Sequence, residues 1–266
     1  MTANTSPPVS PPVLLRREGA VAHLRFNRPQ ALNVIDLSLA RAFHAACREL
    51  ASDTDLRAVV ISGEGRAFMA GGDLAALVSD PLHMPAAVIG EVHPALELLA
   101  GLRAPVIAAV HGAVAGGGLG IALAADLVIA AEGTKFAMAY PRIGTSADCS
   151  TSWNLVRLLG PRKAMEIALL SEPFDAAEAL RLGLINRVVP AESLLTEAEH
   201  MAARLASGAP VALANLKRLV REAGDNDLRT HLALEASLFQ QCAATADFIE
   251  GVGAFLGKRE AKFQGR

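Results

Sequence analysis

The stretch PVIAAVHGAVAGGGLGIALAADLVIAA, residues 105–131, decides how this chain folds. His111 and Asp126 are its only strongly polar side chains, so hydropathy alone would suggest a membrane span. Its glycines argue otherwise. Gly112, Gly116, Gly117, Gly118 and Gly120 interrupt any single helix, and Pro105 and Asp126 mark element boundaries. The stretch therefore predicts a buried strand over 106–110, a turn, a buried helix opening at the glycine triplet, and a second buried strand from 127 to 131. Continuous apolar strands joined through helices belong to parallel sheets covered on both faces.

Upstream, residues 13–17 and 20–27 read as paired strands around Glu18-Gly19. Asp36 is an N-cap candidate for a helix on which Leu37, Ala40, Phe43, Cys47 and Leu50 share one face. Residues 56–62 predict a buried strand opening into GEGRAFMAGGDL, and 86–102 a helix. Downstream, short strands at 127–131 and 135–138 give way to helices over 150–159, 162–170, 176–181, 194–207, 211–222, 228–243 and 246–256, broken by a strand at 184–189. The expected plan is a disordered lead-in over 1–12, an α/β core over 13–200 and a helical region over 201–266. No linker or repeat divides the chain into independent domains.

Composition narrows the function classes. Hydrophobic residues make up 52% of the 266, enough for a sizeable core. A net charge of −2, one Trp and one Tyr offer neither a basic field nor stacking rings for nucleic acid, and no membrane partner is expected. Cys47, Cys149 and Cys242 are odd in number and lack metal-ligand spacing, which predicts no metal site and a reducing, cytoplasmic location.

Two glycine clusters follow two of the buried strands: Gly71-Gly72, and Gly116-Gly117-Gly118 at a helix N-terminus. Glycine lets backbone N–H groups approach a ligand, and the first amides of a helix are unpaired and partially positive. Converging from neighbouring strand ends, two such donors would make an oxyanion hole. On pattern alone close helix–sheet packing is the stronger reading, and neither GxGxxG nor GxxxxGK[ST] spacing is met.

The segments FNRPQALN (26–33), GRAFMAGGDL (65–74), PVIAAVHGAVAGGGLGIALAADLVIA (105–130) and LLGPRKAMEIALLSEPFDAAEALRLGLINRVVP (158–190) closely resemble the enoyl-CoA hydratase/isomerase family, the crotonase superfamily. The resemblance implies an α/β spiral of ββα repeats with a helical C-terminal trimerisation region. It also implies a homotrimer or dimer of trimers, an acyl-CoA thioester substrate and no cofactor beyond the CoA of that substrate. By position it makes the amides of Gly72 and Gly117 the donors to the thioester oxygen. Where typical hydratases carry two glutamates this chain has Gly120 and Tyr140, and neither can replace a carboxylate: glycine has no side chain, and an unperturbed tyrosine titrates near pH ~10.

Asp148, in IGTSADCSTSW, matches the aspartate that isomerase-type relatives use to move a proton along the acyl chain. Its residue type equally suits a helix N-cap, with Thr151 completing the spacing. His93 and Asp148 also resemble the histidine and nucleophilic aspartate of 4-chlorobenzoyl-CoA dehalogenase, although Tyr140 stands where that enzyme has a tryptophan. The resemblance further places Arg28, Ala31, Ala67 and Ala70 near CoA, and Lys262 and Phe263 near CoA of a neighbouring subunit. Phe68, Leu74, Gly116 and Trp153 complete the candidate substrate contacts. Enoyl-CoA or ring-epoxide acyl-CoA isomerisation through Asp148 is the favoured reading. Dehalogenation, hydration without the glutamate pair and acyl-CoA binding without catalysis are the alternatives.

Overall fold

The computed structural model describes residues 10–266. Antiparallel strands β1 (Val13–Glu18) and β2 (Val21–Phe26) lead to helix α1 (Leu37–Ser52), whose N-cap Asp36 accepts from the Leu39 amide at 2.8 Å. Next come β3 (Ala58–Gly63), α2 (Leu74–Ser79) and α3 (Met84–Gly101). The opening stretch forms β4 (Val106–Val110), β5 (Ala113–Ala115), α4 (Gly117–Ala124) and β6 (Leu127–Ala131). After β7 (Lys135–Ala137) come α5 (Thr151–Leu170), β8 (Phe174–Asp175), α6 (Ala176–Arg181) and β9 (Arg187–Val189). Helices α7 (Leu194–Ala206), α8 (Pro210–Glu222), α9 (Leu228–Ala243) and α10 (Ala246–Leu256) close the chain.

Strands β1-β2-β3-β4-β6-β9 form one sheet, parallel apart from the first pair, and β5-β7-β8 form a smaller one. Successive units each send one strand to each sheet. Thus β4 and β6 join the large sheet, while β5 and β7 pair in parallel in the small one. Met69, downstream of β3, bridges Val114 of β5 and extends the same plan. This alternation is the expected ββα spiral.

The unbroken apolar strands are explained by burial on both faces. Val59, Ile61, Val106, Ala108, Val110, Val128 and Ala130 pack into the main core with α1 and α3. Their alternates Ala58, Val60, Ile107, Ala109, Ile129 and Ala131 pack under Leu194, Ala198 and Ala202 of α7. The break expected between 159 and 162 is a kink within α5, where Gly160 has φ 73° and ψ 165°. The short elements α2, β5 and β8 carry too few residues for periodicity to show them. Most of the expected lead-in lies outside the described residues; Ser10 and Pro11 accept hydrogen bonds from Asn27 Nδ2, both at 2.9 Å. Among the described residues no helix is long and apolar enough to cross a membrane.

Candidate active site

The two glycine clusters meet. A Cβ built on Gly116, whose φ is 51°, would lie 3.6 Å from Gly71 Cα. On one side a parallel bridge fixes Gly72: the Ile35 amide donates to Gly71 O at 2.8 Å and the Asp73 amide donates to Ile35 O at 2.9 Å. On the other, Gly117 is the first residue of α4. Neither the Gly72 nor the Gly117 amide donates a hydrogen bond among the described residues. Gly117 is buried, and an unpaired amide in a buried setting calls for an acceptor. A Cβ there would stand 2.9 Å from Ile35 Cδ1 and 3.0 Å from Cys149 Sγ, so close packing and an open donor occur at the same residue.

Asp148 lies beside Gly117: its Oδ1 is 3.9 Å from the Cβ position of that glycine. It does not cap α5. Ser150 occupies the N-cap position without a side-chain bond, while the Thr151 amide donates to the backbone oxygen of Asp148 at 3.0 Å. The Asp148 side chain instead accepts from the Tyr140 hydroxyl at Oδ1, in a short hydrogen bond. The neighbouring Cys149 thiol is a second side-chain partner of this carboxylate. The carboxylate is therefore oriented by Tyr140, with Cys149 beside it, next to Gly117.

Burial, then neighbouring Cys149 and Asp148, pushes the Tyr140 phenol far above its ordinary range. It remains a hydroxyl and acts as a donor, not a base. Burial likewise lifts the Cys149 thiol well above its ordinary range, with Asp148 adding to the effect, so the sulfur beside Gly117 stays protonated. Cys149 and Ser150 both have left-handed backbone, at φ 50° and 58°. This tight turn fills the space above Gly120. A Cβ on Gly120 would overlap the Cys149 carbonyl oxygen and stand 2.5 Å from Thr151 Oγ1. No side chain fits at 120 unless the turn moves.

The other sequence-derived candidates are spread over the core, the helices, the loops near Gly72 and the C-terminal tail. The Phe68 ring is wholly buried, edge-on to Phe26 at 5.6 Å, and belongs to the core rather than to a pocket wall. Trp153 is 52% exposed on α5 with Arg157 stacked 4.3 Å above its ring. His93 is exposed on α3 and makes no hydrogen bond to Asp148 or Tyr140. The Arg28 guanidinium pairs with Asp36 at 3.1 Å and Asp73 at 3.6 Å. The Ala31 amide donates to Arg28 O at 3.0 Å, and the Ala70 amide donates to Leu32 O at 3.1 Å. Ala67 is buried. Leu74, the first residue of α2, is 48% exposed next to Gly72 and Asp73. Lys262 is exposed, with its amide on Glu250 at 2.8 Å, and Phe263 packs near Gly251.

Asn33 was not singled out by sequence reasoning. Fully buried at φ 56°, it donates from Nδ2 to the carbonyls of Glu64 (3.0 Å), Ala67 (2.8 Å) and Phe68 (3.1 Å), and accepts from the Arg28 amide at 2.7 Å. It ties the 28–35 loop to the segment that carries Gly71 and Gly72. The available signal was an asparagine next to a turn, a residue type suited to left-handed backbone.

A family model described as Enoyl-CoA hydratase/isomerase matches residues 16–266. The chain belongs to the enoyl-CoA hydratase/isomerase family. A Rhodobacter capsulatus protein named a probable enoyl-CoA hydratase is 38% identical, over 92% of this chain and 95% of its own. The 1,2-epoxyphenylacetyl-CoA isomerase of Escherichia coli K12 is 36% identical, over 96% and 98%. The crystal structure of an enoyl-CoA hydratase from Polaromonas sp. JS666 superposes with a TM-score of 0.89 at 36% identity, covering 95% of this chain and 99% of that one. The mixed α/β architecture is thus that of the crotonase fold, helical C-terminal region included.

Proposed function

We propose that this enzyme of the enoyl-CoA hydratase/isomerase family isomerises an enoyl-CoA or ring-epoxide acyl-CoA, with Asp148 moving the proton. The observation that carries the reading is the Asp148 carboxylate beside Gly117, held by Tyr140 at Oδ1. In the proposed cycle the thioester oxygen sits between the Gly72 and Gly117 amides. Asp148 removes a proton from the acyl chain, becoming the carboxylic acid, and the negative charge moves to the thioester oxygen. Return of that proton to a different carbon regenerates the carboxylate. Each amide donor lost from such a site typically costs about 3 kcal/mol of transition-state stabilisation.

Hydration is the second reading, supported by the name of the Rhodobacter relative. Against it, the Cys149–Ser150 turn closes the space over Gly120, and the neutral phenol of Tyr140 cannot accept a proton from water. The reaction is read as cytoplasmic and as needing no group beyond the substrate's own CoA. The test compares wild type with Asp148→Asn on 3-enoyl-CoA, 2-enoyl-CoA and an epoxide acyl-CoA. Loss of about two orders of magnitude or more in isomerase kcat is expected. An unchanged isomerase rate in the variant would falsify the role given to Asp148, and water addition as the dominant wild-type activity would favour hydration.

Leu228, Phe239, Ile249, Phe255 and Leu256 of α9 and α10 are among the exposed large apolar side chains. Apolar surface on this scale supports assembly. We read the enzyme as a homotrimer or dimer of trimers.

A further inference from the structure

We propose that Arg28 is a positioning residue that aims the Gly72 amide, and that it does not serve as a contact for the phosphates of CoA; the inference rests on the acyl-CoA reading above. The two carboxylates around Arg28 are each used twice. Asp36 Oδ1 accepts from the Leu39 amide at the start of α1, and Asp73 Oδ1 accepts from the Ala76 amide (3.2 Å) at the start of α2. The Oδ2 atom of each faces Arg28 Nη2, at 3.1 Å and 3.6 Å. Arg28 Nη1 donates to Val34 O at 2.6 Å. One guanidinium therefore grips residues 34 and 36, on either side of Ile35, together with residue 73, which follows Gly72.

Ile35 is the residue whose amide and carbonyl bracket Gly72. In such a bridge the N–H of the bracketed residue points away from its partner strand, so the alignment of this short ladder sets the direction of the Gly72 donor. Arg28 clamps both of its strands. Charge points the same way. One cation against two carboxylates leaves the cluster formally negative, and a phosphate approaching it meets repulsion. The three side chains are only 20–25% exposed, so the pairing is less screened than one in open solvent. A displacement of about 1 Å in a catalytic group can cost about a hundredfold in rate.

The test titrates wild type, Arg28→Met and Arg28→Lys with a 2,4-dienoyl-CoA, whose conjugated thioester absorbs at longer wavelength when its carbonyl accepts hydrogen bonds. Wild type is expected to shift the band of the bound ligand. In Arg28→Met the shift falls to about half or less and kcat drops about 10- to 100-fold, with KM within about threefold; Arg28→Lys recovers part of both. A tenfold or larger rise in KM with kcat and the band shift unchanged, the signature of a lost phosphate contact, overturns the proposal. Should Arg28→Met fail to fold, Asp73→Asn, which keeps the cap and removes the charge, is expected to reduce the shift, and an undiminished shift overturns the proposal equally. Wild type that produces no shift overturns the acyl-CoA reading itself, and with it the inference built on it.

Discussion

Asp148 and Gly120 act on one another through two intervening left-handed residues. Because Cys149 and Ser150 turn tightly, the Asp148 carboxylate reaches Tyr140 and Gly117, and the Cys149 carbonyl is driven over Gly120. An aspartate presented this way and a glutamate at 120 are mutually exclusive without rebuilding the turn. Introducing the hydratase-like side chain by Gly120→Glu is thus expected to destabilise the fold by about 3 kcal/mol or more and to confer no hydratase activity. Urea unfolding together with a hydration assay on 2-enoyl-CoA measures both, and a stable, hydrating variant contradicts the steric account. The sequence made Asp148 a candidate on two grounds, cap or catalyst. It could not choose between them, because which group the carboxylate accepts from depends on a tyrosine eight positions away whose approach is set by the intervening loop.

At the scale of elements, α10 and the tail after it depend on two acidic residues facing backwards. Asp247 accepts from the amides of Gln264 at 2.6 Å and Gly265 at 2.8 Å, while Glu250 pairs with Arg259 at 2.7 Å and accepts from the Lys262 amide at 2.8 Å. The Arg259 hydrogen bonds, then the Lys262 amide, hold the Glu250 carboxyl down at about 2. A carboxyl depressed in the folded state stabilises fully above its ordinary value of 4.5, and that contribution disappears as pH falls towards 2. Wild type is therefore expected to melt above Glu250→Gln at neutral pH, with the gap closing as pH is lowered through that window. Melting curves from pH 7 to pH 3 check this; a gap that widens on acidification contradicts it. The boundaries of α9 and α10 were legible from caps and apolar periodicity. The folded-back tail was not, since its partners lie far outside any local repeat: Asp247 is 18 residues before Gly265, and Arg57, which donates to Phe263 O at 3.4 Å, is 206 residues upstream.

For the whole molecule, the helical region is joined to the core by charge. Asp126, at the start of β6, accepts from the Val106 amide at 2.8 Å and pairs with Lys217 at 2.7 Å and Arg221 at 2.6 Å, both on α8. Burial pushes the Lys217 ammonium below its ordinary range while Asp126 acts in the opposite direction, so the paired carboxylate keeps the cation in place. Beyond that junction α9 and α10 turn apolar side chains outward, Phe255 at 83% and Leu228 at 74% exposure. Light scattering at micromolar concentration is expected to give three or six times the monomer mass. Phe255→Asp together with Leu256→Asp should lower that number, and a monomeric wild type counts against the proposed assembly.

The residues by themselves determined the layered α/β core and the placement of nearly every long element. Strands buried on both faces must be apolar throughout, helices must repeat near 3.6, and glycines must punctuate where chains approach closely; these demands act locally and so are written locally. Only the tertiary structure decided which polar groups face one another. Asp148 accepts from Tyr140 instead of capping α5, Phe68 packs in the core, and Arg28 is held between two capping aspartates. Each of those outcomes depends on distances of a few ångströms between segments far apart in the chain, which no periodicity or spacing within a segment encodes.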